Sequence, residues 1–230
     1  MNDFPLLEKK LSLKFKNKDL LIQAFAHRSF LNENPDFKLS HNERLEFLGD
    51  AILEQVVTEY LFSKYPKKPE GVLTSWRAAL VNAKMLAKIA QELDFNDFLL
   101  LSQGEQKEMG RARQYILADT FEAFIGALYL DRGIKSCKKF VKEHLVKELP
   151  DIIKTGLYKD AKSGFQEQSQ EKLGITPTYN VLKESGPDHA KRFIVGVYLK
   201  DKLVAKGEGF SKQEAEESAA RRALEINNNK

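Results

Sequence analysis

Three carboxylates share one predicted helical face in the segment HNERLEFLGDAIL, residues 41–53. Glu43, Glu46 and Asp50 are spaced three and four residues apart, which places them on a single stripe of an α-helix. Most other positions of the segment are apolar, and a helix that is apolar nearly all round is typically buried. Burying an unpaired ionised carboxylate costs several kcal/mol. These acids must therefore be protonated, paired with a cationic side chain or bound to a metal ion.

A second pair of acids repeats this pattern. Asp119 and Glu122 lie one turn apart and are the only acids of the apolar segment ILADTFEAFIGALYL, residues 116–130. Gly49 and Gly126 would let the two helices approach closely, so that the acids face one another. Oxygen ligands without a His/Cys cluster favour Mg²⁺, with Mn²⁺ as a substitute, over zinc. The two segments predict a divalent-metal site suited to phosphoryl chemistry.

Each acid also has a purely structural interpretation. Ser40-x-x-Glu43 has the spacing of a capping box, in which Glu43 closes a helix N-terminus. Asp119 is also suited to a position near the start of a helix. The remaining acids have three arginines as possible ion-pair partners: Arg44, Arg77 and Arg111. A structural role is favoured for any one acid taken alone, whereas the two clusters taken together favour a metal site.

The elements that carry these acids belong to a helical N-terminal part. Apolar residues recur at intervals of three and four up to about residue 149, with turn signals between the periodic segments. We predict an all-α domain over residues 1–150. Its predicted helices include Leu20–Arg28, Asn42–Tyr65, Ser75–Leu93, Ile116–Asp131 and Ile134–Leu149.

The C-terminal part has a different pattern. We predict a linker over residues 151–160 and a small α+β domain over residues 161–228. Stretches rich in β-branched and aromatic residues predict three strands between two helices. The predicted αβββα order is Ser163–Leu173, Thr178–Glu184, Arg192–Leu199, Leu203–Glu208 and Ser211–Ile226.

Composition limits the class of protein without identifying a partner. The 230 residues are 42% hydrophobic and 30% charged, as in globular proteins, which excludes a disordered or fibrous chain. A single cysteine, Cys137, excludes an internal disulfide framework and fits a reducing compartment. Neither a signal peptide nor an apolar run of about 20 residues is present, so we expect a cytoplasmic protein without a membrane partner. The net charge of +4 permits a nucleic-acid partner but does not require one.

These motifs together resemble those of the ribonuclease III family. The segment HNERLEFLGDAIL is similar to the family's signature motif, and LADTFEAFIGALYLD, residues 117–131, resembles its second acidic helix. The αβββα tail is similar to a double-stranded-RNA-binding domain. The resemblance covers nearly the whole chain in the family's bacterial two-domain arrangement. It implies an all-α endonuclease domain followed by a small α+β (αβββα) double-stranded-RNA-binding domain.

The resemblance also implies an activity and a set of site residues. The expected reaction is Mg²⁺-dependent hydrolysis of double-stranded RNA to 5′-phosphate and 3′-hydroxyl ends with a 3′ overhang, in processing of ribosomal RNA precursors and structured messengers. The family's metal ligands fall on Glu46, Asp119 and Glu122, and its catalytic acids on Asp50 and Glu122. Glu43 and Glu70 match further acids that the family associates with substrate and the dimer cleft.

The family's endonuclease domain forms a homodimer, so we expect a second copy of this chain as a partner. The candidate interface residues are all aromatic: Phe25, Phe30, Phe47 and Tyr129. Ordinary core packing is the alternative for each of them, because the sequence does not distinguish a dimer surface from a core.

The RNA-binding tail would recognise the shape, phosphates and 2′-hydroxyls of a duplex. The short polar side chains of Ser163, Gln166 and Gln170 are predicted to contact 2′-hydroxyls, and His189 lies in a loop suited to the next minor groove. Ser211 and Lys212, at the start of the last helix, are predicted to hold phosphates. Lys191, Arg192 and Lys206 would assist, whereas Gln213 stands where the family often has a second basic residue. The alternative for the polar helix residues is an ordinary solvated face.

Two rival functions come from different classes of protein. A non-catalytic double-stranded-RNA-binding protein with a degenerate nuclease fold would be expected to lack one or more of the metal acids, and this chain has the full set. A helical metal-dependent phosphohydrolase of small nucleotides would not need an RNA-binding tail. The sequence therefore favours an endoribonuclease.

Overall fold

Two compact units make up the chain, residues 1–158 and residues 159–230. The structure, a computed structural model, describes residues 3–107, 109–156, 161–187 and 191–228. No helix within these ranges has both the length and the apolar character needed to cross a membrane.

Helices make up the N-terminal unit. They are α1 (Phe4–Lys10), α2 (Lys18–Ala24), α3 (Arg28–Glu33), α4 (Glu43–Lys64), α5 (Glu70–Leu80), α6 (Ala83–Glu92), α7 (Gln103–Lys107), α8 (Arg111–Arg132), α9 (Ile134–His144) and α10 (Leu149–Thr155). Short 3₁₀ turns lie at Phe95–Phe98 and Val146–Glu148. Helix α10 occupies half of the segment that the sequence predicts as a linker, and its Ile152 is part of the hydrophobic core.

Several helix boundaries differ from the prediction. The helix predicted at Ile116–Asp131 begins earlier, at Arg111, and the helix predicted at Ile134–Leu149 ends at His144. At two other places the backbone becomes extended between helices. The predicted helix Ser75–Leu93 is two helices, since Asn82 is extended and its side-chain oxygen caps α6 by accepting from the Met85 N–H at 2.9 Å. The predicted helix Leu20–Arg28 ends at Ala24. Beyond it, Ala26 forms a parallel bridge with Leu100, and an extended His27 starts the next helix.

Burial differs between the two long helices, α4 and α8. From Ile116 to Leu128 of α8, only Asp119 and Glu122 are not buried, so the expectation of a buried helix is confirmed there. Helix α4 buries one side only, because Phe47 is 82% exposed and Phe62 is 73% exposed. The expectation of a helix buried nearly all round was therefore wrong for α4.

The C-terminal unit has the predicted αβββα order: α11 (Ala161–Leu173), β1 (Thr178–Ser185), β2 (Arg192–Leu199), β3 (Lys202–Gly209) and α12 (Lys212–Asn228). The strands form an antiparallel sheet in the order β1-β2-β3. Its core joins strand residues to an alanine-rich face of α12, and Gly207 allows close contact, since a Cβ there would lie 2.1 Å from the Ala219 nitrogen. The fold class predicted from the sequence is confirmed.

Candidate active site and RNA-binding surface

Backbone contact between α4 and α8 holds the acidic side chains in place. A Cβ on Gly49 would lie 1.7 Å from the Glu122 carbonyl oxygen, and a Cβ on Gly126 would lie 2.2 Å from the Leu45 carbonyl oxygen. Only glycine allows such an approach, so the prediction that these two glycines bring the helices together is confirmed. Each acid is thus attached to a helix whose position the backbone contact fixes.

Three of the predicted site residues converge at this contact. Glu46, Asp119 and Glu122 each offer a carboxylate oxygen, and these oxygens all lie within 4.8 Å of one another. The three side chains are half-buried, so the group is partly screened from bulk solvent and still accessible to it. We call these residues the acidic triplet.

The acidic triplet is electrostatically unfavourable without a cation. Burial raises the pKa of Glu122 to about 8, with further contributions from the charges of Asp50, Asp119 and Glu46. Burial also raises the pKa of Glu46, to which Asp119, Glu43 and Asp50 add repulsion. The pKa of Asp119 is raised by burial too, although His27 opposes this shift. A bound cation would remove the repulsion by favouring the ionised carboxylates.

Ion pairs with arginine or lysine do not account for these acids in the residues that the structure describes. In the described part of the chain, none of Glu46, Asp50, Asp119 and Glu122 forms an ion pair with an arginine or lysine. Arg77 lies instead 4.0 Å from Glu54. The capping-box interpretation is also wrong, because α4 begins at Glu43 with Asn42 as its N-cap residue. The donor set of three clustered, unpaired carboxylates fits a hard divalent cation.

The other predicted acids, Asp50, Glu43 and Glu70, lie outside the acidic triplet. Asp50 is exposed on α4 and close enough for its charge to raise the pKa of Glu122. Glu43 is exposed and lies 3.4 Å from Arg28 and 3.7 Å from His41. Glu70 is outside the triplet, at the start of α5, where its carboxylate accepts from the Thr74 hydroxyl at 2.9 Å.

One neighbour of the acidic triplet was missed from the sequence. His27 precedes α3, and its Nδ1 lies 2.8 Å from the Ser29 hydroxyl. Burial lowers the pKa of His27, while the charges of Glu105, Asp119 and Glu43 oppose that shift. Nothing in its sequence spacing connects His27 with the acids, because the loop geometry before α3 brings it near them.

The predicted RNA-binding residues of α11 share one exposed face. Ser163, Gln166 and Gln170 are exposed, whereas Phe165 and Ser169 are buried on the opposite side. Ser163 and Gln166 line a shallow cavity of about 460 Å³ together with Gln213 of α12. The polar face is therefore continuous with the beginning of α12.

The start of α12 holds the other predicted contacts. The Ser211 hydroxyl oxygen accepts from the Glu214 N–H at 3.1 Å and caps the helix, which leaves its proton available to donate. The Lys212 ammonium lies 3.4 Å from Glu184. His189, the remaining predicted contact, lies outside the described residues.

Each of the two units matches a known protein family. Residues 17–149 match the family model described as ribonuclease-III-like, and residues 161–227 match the double-stranded RNA binding motif. A ribonuclease 3 of Protochlamydia amoebophila is 45% identical, over 96% of this chain and 90% of the relative. A ribonuclease 3 of Streptococcus gordonii is 44% identical, over 97% of this chain and 96% of the relative.

Solved structures support the same conclusion. The nuclease domain of ribonuclease III from Campylobacter jejuni is 45% identical, with a TM-score of 0.58 over 65% of this chain and 98% of that domain. A second structure of that domain, 46% identical with a TM-score of 0.56 over 63% of this chain and 96% of that one, is described as flexible in a region involved in dimer formation. The acidic triplet, the RNA-binding motif and these matches together show that the chain belongs to the ribonuclease III family of double-strand-specific endoribonucleases.

Proposed function

We propose that this protein uses Mg²⁺ to hydrolyse phosphodiester bonds in double-stranded RNA, leaving 5′-phosphate and 3′-hydroxyl ends with a 3′ overhang. The observation that carries the proposal is the acidic triplet of Glu46, Asp119 and Glu122, whose oxygens lie within 4.8 Å of one another without a cationic partner among the described residues. Mn²⁺, which accepts the same oxygen donors, would substitute for Mg²⁺.

Each acid has a separate task in this proposal. The metal held by Glu46, Asp119 and Glu122 would polarise a phosphate oxygen and lower the pKa of a bound water. Asp50 is exposed beside the triplet and is suited to orient a water molecule and accept its proton. Glu122, which is half-buried between the helices, would act as both a ligand and a catalytic acid. Glu43 and Glu70 are exposed and would border the cleft that receives the RNA.

The C-terminal unit would hold the duplex. Ser163, Gln166 and Gln170 present short polar groups along one exposed face of α11, as contact with 2′-hydroxyls in a shallow minor groove requires. Ser211 and Lys212 would bind phosphates at the start of α12. His189 is proposed from the sequence alone to enter the next minor groove.

A homodimer through the endonuclease domain completes the proposal. Phe47 and Phe62, the two phenylalanines of α4, are both largely exposed and support it, because large aromatic side chains at this exposure are typical of interfaces. Phe25 is fully buried, so core packing describes that ring, whereas Phe30 is half-buried and packs against the half-buried Phe37. Sedimentation should show a dimer that Phe47→Ser weakens. The matched variant Leu130→Ser, at a residue 54% exposed on α8, should leave it intact.

A cleavage assay on matched RNAs tests the proposed reaction. With Mg²⁺, the protein should cut a long RNA duplex and spare both single-stranded RNA and duplex DNA. An RNA ligase that requires a 5′-phosphate and a 3′-hydroxyl should join the products without prior treatment of their ends. Absence of any cleavage with Mg²⁺ or Mn²⁺ at low salt would refute the enzyme proposal and favour a purely RNA-binding protein. The cellular substrates we propose are ribosomal RNA precursors and structured messengers in the cytoplasm.

A further inference from the structure

Contacts on both sides of His27 hold it at the end of α4 where the acidic stripe begins. The carbonyl oxygen of Ala26 accepts from the N–H of Asn42, the N-cap residue of α4, at 2.9 Å. On the other side, the guanidinium of Arg28 lies 3.4 Å from the carboxylate of Glu43, the first residue of α4. Both chain neighbours of His27 thus contact the beginning of a helix that carries part of the acidic triplet.

Acidic side chains lie close enough to the His27 ring for their charges to act on it. Burial lowers the pKa of His27, and the charges of Glu105, Asp119 and Glu43 oppose that shift without reversing it. The ring is therefore mostly neutral above pH 7. Because Asp119 belongs to the acidic triplet, this neutral ring lies on the same side of the domain as the metal ligands.

The Nδ1 atom of His27 is occupied as an acceptor. The Ser29 N–H donates to it at 3.3 Å, which caps α3, and the Ser29 hydroxyl oxygen lies 2.8 Å from it. That hydroxyl oxygen accepts from the Ser102 N–H at 3.1 Å, so its own proton is available to His27. A nitrogen that accepts from an N–H carries no proton itself, so the proton of the neutral ring is on Nε2.

The Nε2–H group is a donor without a partner in the part of the chain that the structure describes. Nε2 is not one of the unpaired polar atoms that are closed off from solvent, so a bound molecule can reach it. A phosphate group of RNA at the acidic triplet would bring ionised oxygens to this donor. Hydrogen bonds to ionised oxygens are about twice as strong as neutral ones.

We propose that His27 is a further catalytic residue of the RNA cleavage site, and that its Nε2–H donates a hydrogen bond to an oxygen of the phosphate that is cut. This inference rests on the proposed cleavage of duplex RNA. A donor already fixed in a half-buried site stabilises negative charge that develops in the transition state. No proton is transferred from His27, so the tasks of the metal ligands and of Asp50 are unchanged.

Two substitutions separate the helix cap from the donor. Asparagine places an oxygen close to the position of Nδ1 and is a strong N-cap residue, but it has no group at the position of Nε2. Glutamine places an amide N–H group close to the position of Nε2 and leaves the cap unfilled. A purely structural role predicts that His27→Asn is the milder change, whereas the proposed role predicts that it is the more severe one.

The experiment measures single-turnover cleavage of a long RNA duplex by the full-length chain at saturating Mg²⁺. For His27→Asn we expect a rate constant about 10- to 100-fold below that of the wild type, as for the loss of one hydrogen bond to a charged group. Its melting temperature and its duplex affinity in EDTA should match those of the wild type. His27→Gln should melt about 2–4 °C lower, because the cap is lost, and keep most of the cleavage rate.

His144→Gln is the matched control. His144 is also a half-buried histidine whose pKa burial lowers, but it lies on α9, with its ring 4.5 Å from that of Phe140. This variant should cut at the wild-type rate.

The position of the ring proton is a second measurement, and it does not depend on activity. The chain has four histidines, so comparison with His27→Asn assigns the His27 signals in a long-range ¹H–¹⁵N spectrum of the imidazole nitrogens. Near pH 7.5 we expect an unprotonated Nδ1 and a protonated Nε2. A proton on Nδ1 would leave no donor at Nε2 and would overturn the inference.

The outcomes separate this inference from the function on which it rests. If the wild type does not cut duplex RNA, the proposed function fails with it. If the wild type cuts and His27→Asn is equally fast, only the role of His27 is overturned. The role is also overturned if His27→Gln is folded but as slow as His27→Asn. If a higher Mg²⁺ concentration restores the rate of His27→Asn, His27 acts on the metal site, and its contact with the phosphate is overturned.

Discussion

The acidic triplet and the RNA-binding surface are built in opposite ways. The triplet lies where two helix backbones touch, and its charges have no cationic side-chain partner among the described residues. At the start of α12, the charges are exposed, and Lys212 already pairs with Glu184. The first arrangement is unfavourable until a cation binds, whereas the second can exchange one anionic partner for another. The comparison predicts that catalysis depends on a few residues held rigidly and RNA binding on many small contributions.

The largest expected effect is on cleavage by Glu122→Gln. Removing one charge from the acidic triplet should weaken metal binding and lower the cleavage rate by on the order of 10³-fold, because a metal's stabilisation of several kcal/mol is lost. Duplex affinity in EDTA should stay close to that of the wild type, since the contacts of α11 and α12 are unchanged. Single-turnover cleavage and binding are measured on the same RNA.

Glu143→Gln is the control for this variant, because Glu143 is an exposed acid of α9 outside the triplet. It should cut at the wild-type rate. If Glu122→Gln lost binding and cutting together while folded, the proposed separation between the two regions would be wrong.

Truncation after residue 158 should have the next largest effect. Losing the C-terminal unit removes most phosphate contacts, so duplex affinity should fall by about 10- to 100-fold near physiological salt. Some cleavage should persist at low salt. The boundary follows the structure, because a cut after residue 150 would remove Ile152 from the core. Unchanged affinity and salt slope after truncation would contradict the RNA-binding role of the unit.

Gly49→Ala tests whether the backbone contact positions the acids. A Cβ 1.7 Å from the Glu122 carbonyl oxygen cannot fit, so the helices must separate. We expect the free energy of unfolding to fall by about 1–3 kcal/mol, with a loss of cleavage that added metal does not fully restore. Gly71→Ala is the control, since nothing lies within 4 Å of a Cβ there and its stability should hardly change. Thermal melting followed by a cleavage assay distinguishes the two variants.

The sequence was sufficient to predict the fold class and the meeting of the acidic helices, because both follow from local periodicity. Gly49 and Gly126 are visible as small residues beside acids, and their role follows from that spacing. Long-range geometry was not predictable. The proximity of His27 to Asp119 depends on a loop and on the bridge between Ala26 and Leu100. The exposure of Phe47 was not predictable either, because apolar side chains look alike in a sequence whether they face a core or solvent.

The smallest expected effect is a pH-dependent shift in melting temperature, and it tests the electrostatics of the acidic triplet without measuring activity. The pKa of Glu122 is about 8 in the folded chain and near 4.5 when the chain is unfolded. The folded state therefore binds more protons between these values, so stability should fall as pH rises from about 5 to about 8 and then level off. The raised pKa values of Glu46 and Asp119 act in the same direction. Burial lowers the pKa of His27 and His144 below 6.5, which makes stability rise with pH, but that rise is complete above about pH 7.

Between pH 7 and about 8.5 in EDTA, the melting temperature of the wild type should consequently fall, and Mg²⁺ should offset the fall by binding the ionised carboxylates. Glu122→Gln should flatten the dependence and reduce the effect of Mg²⁺, whereas Glu143→Gln should retain both. Two results would contradict this account: a wild-type melting temperature that rises with pH over this interval, or a pH dependence that is equally steep in Glu122→Gln. Either result would show that the carboxylates of the acidic triplet do not destabilise the folded chain in the absence of a cation.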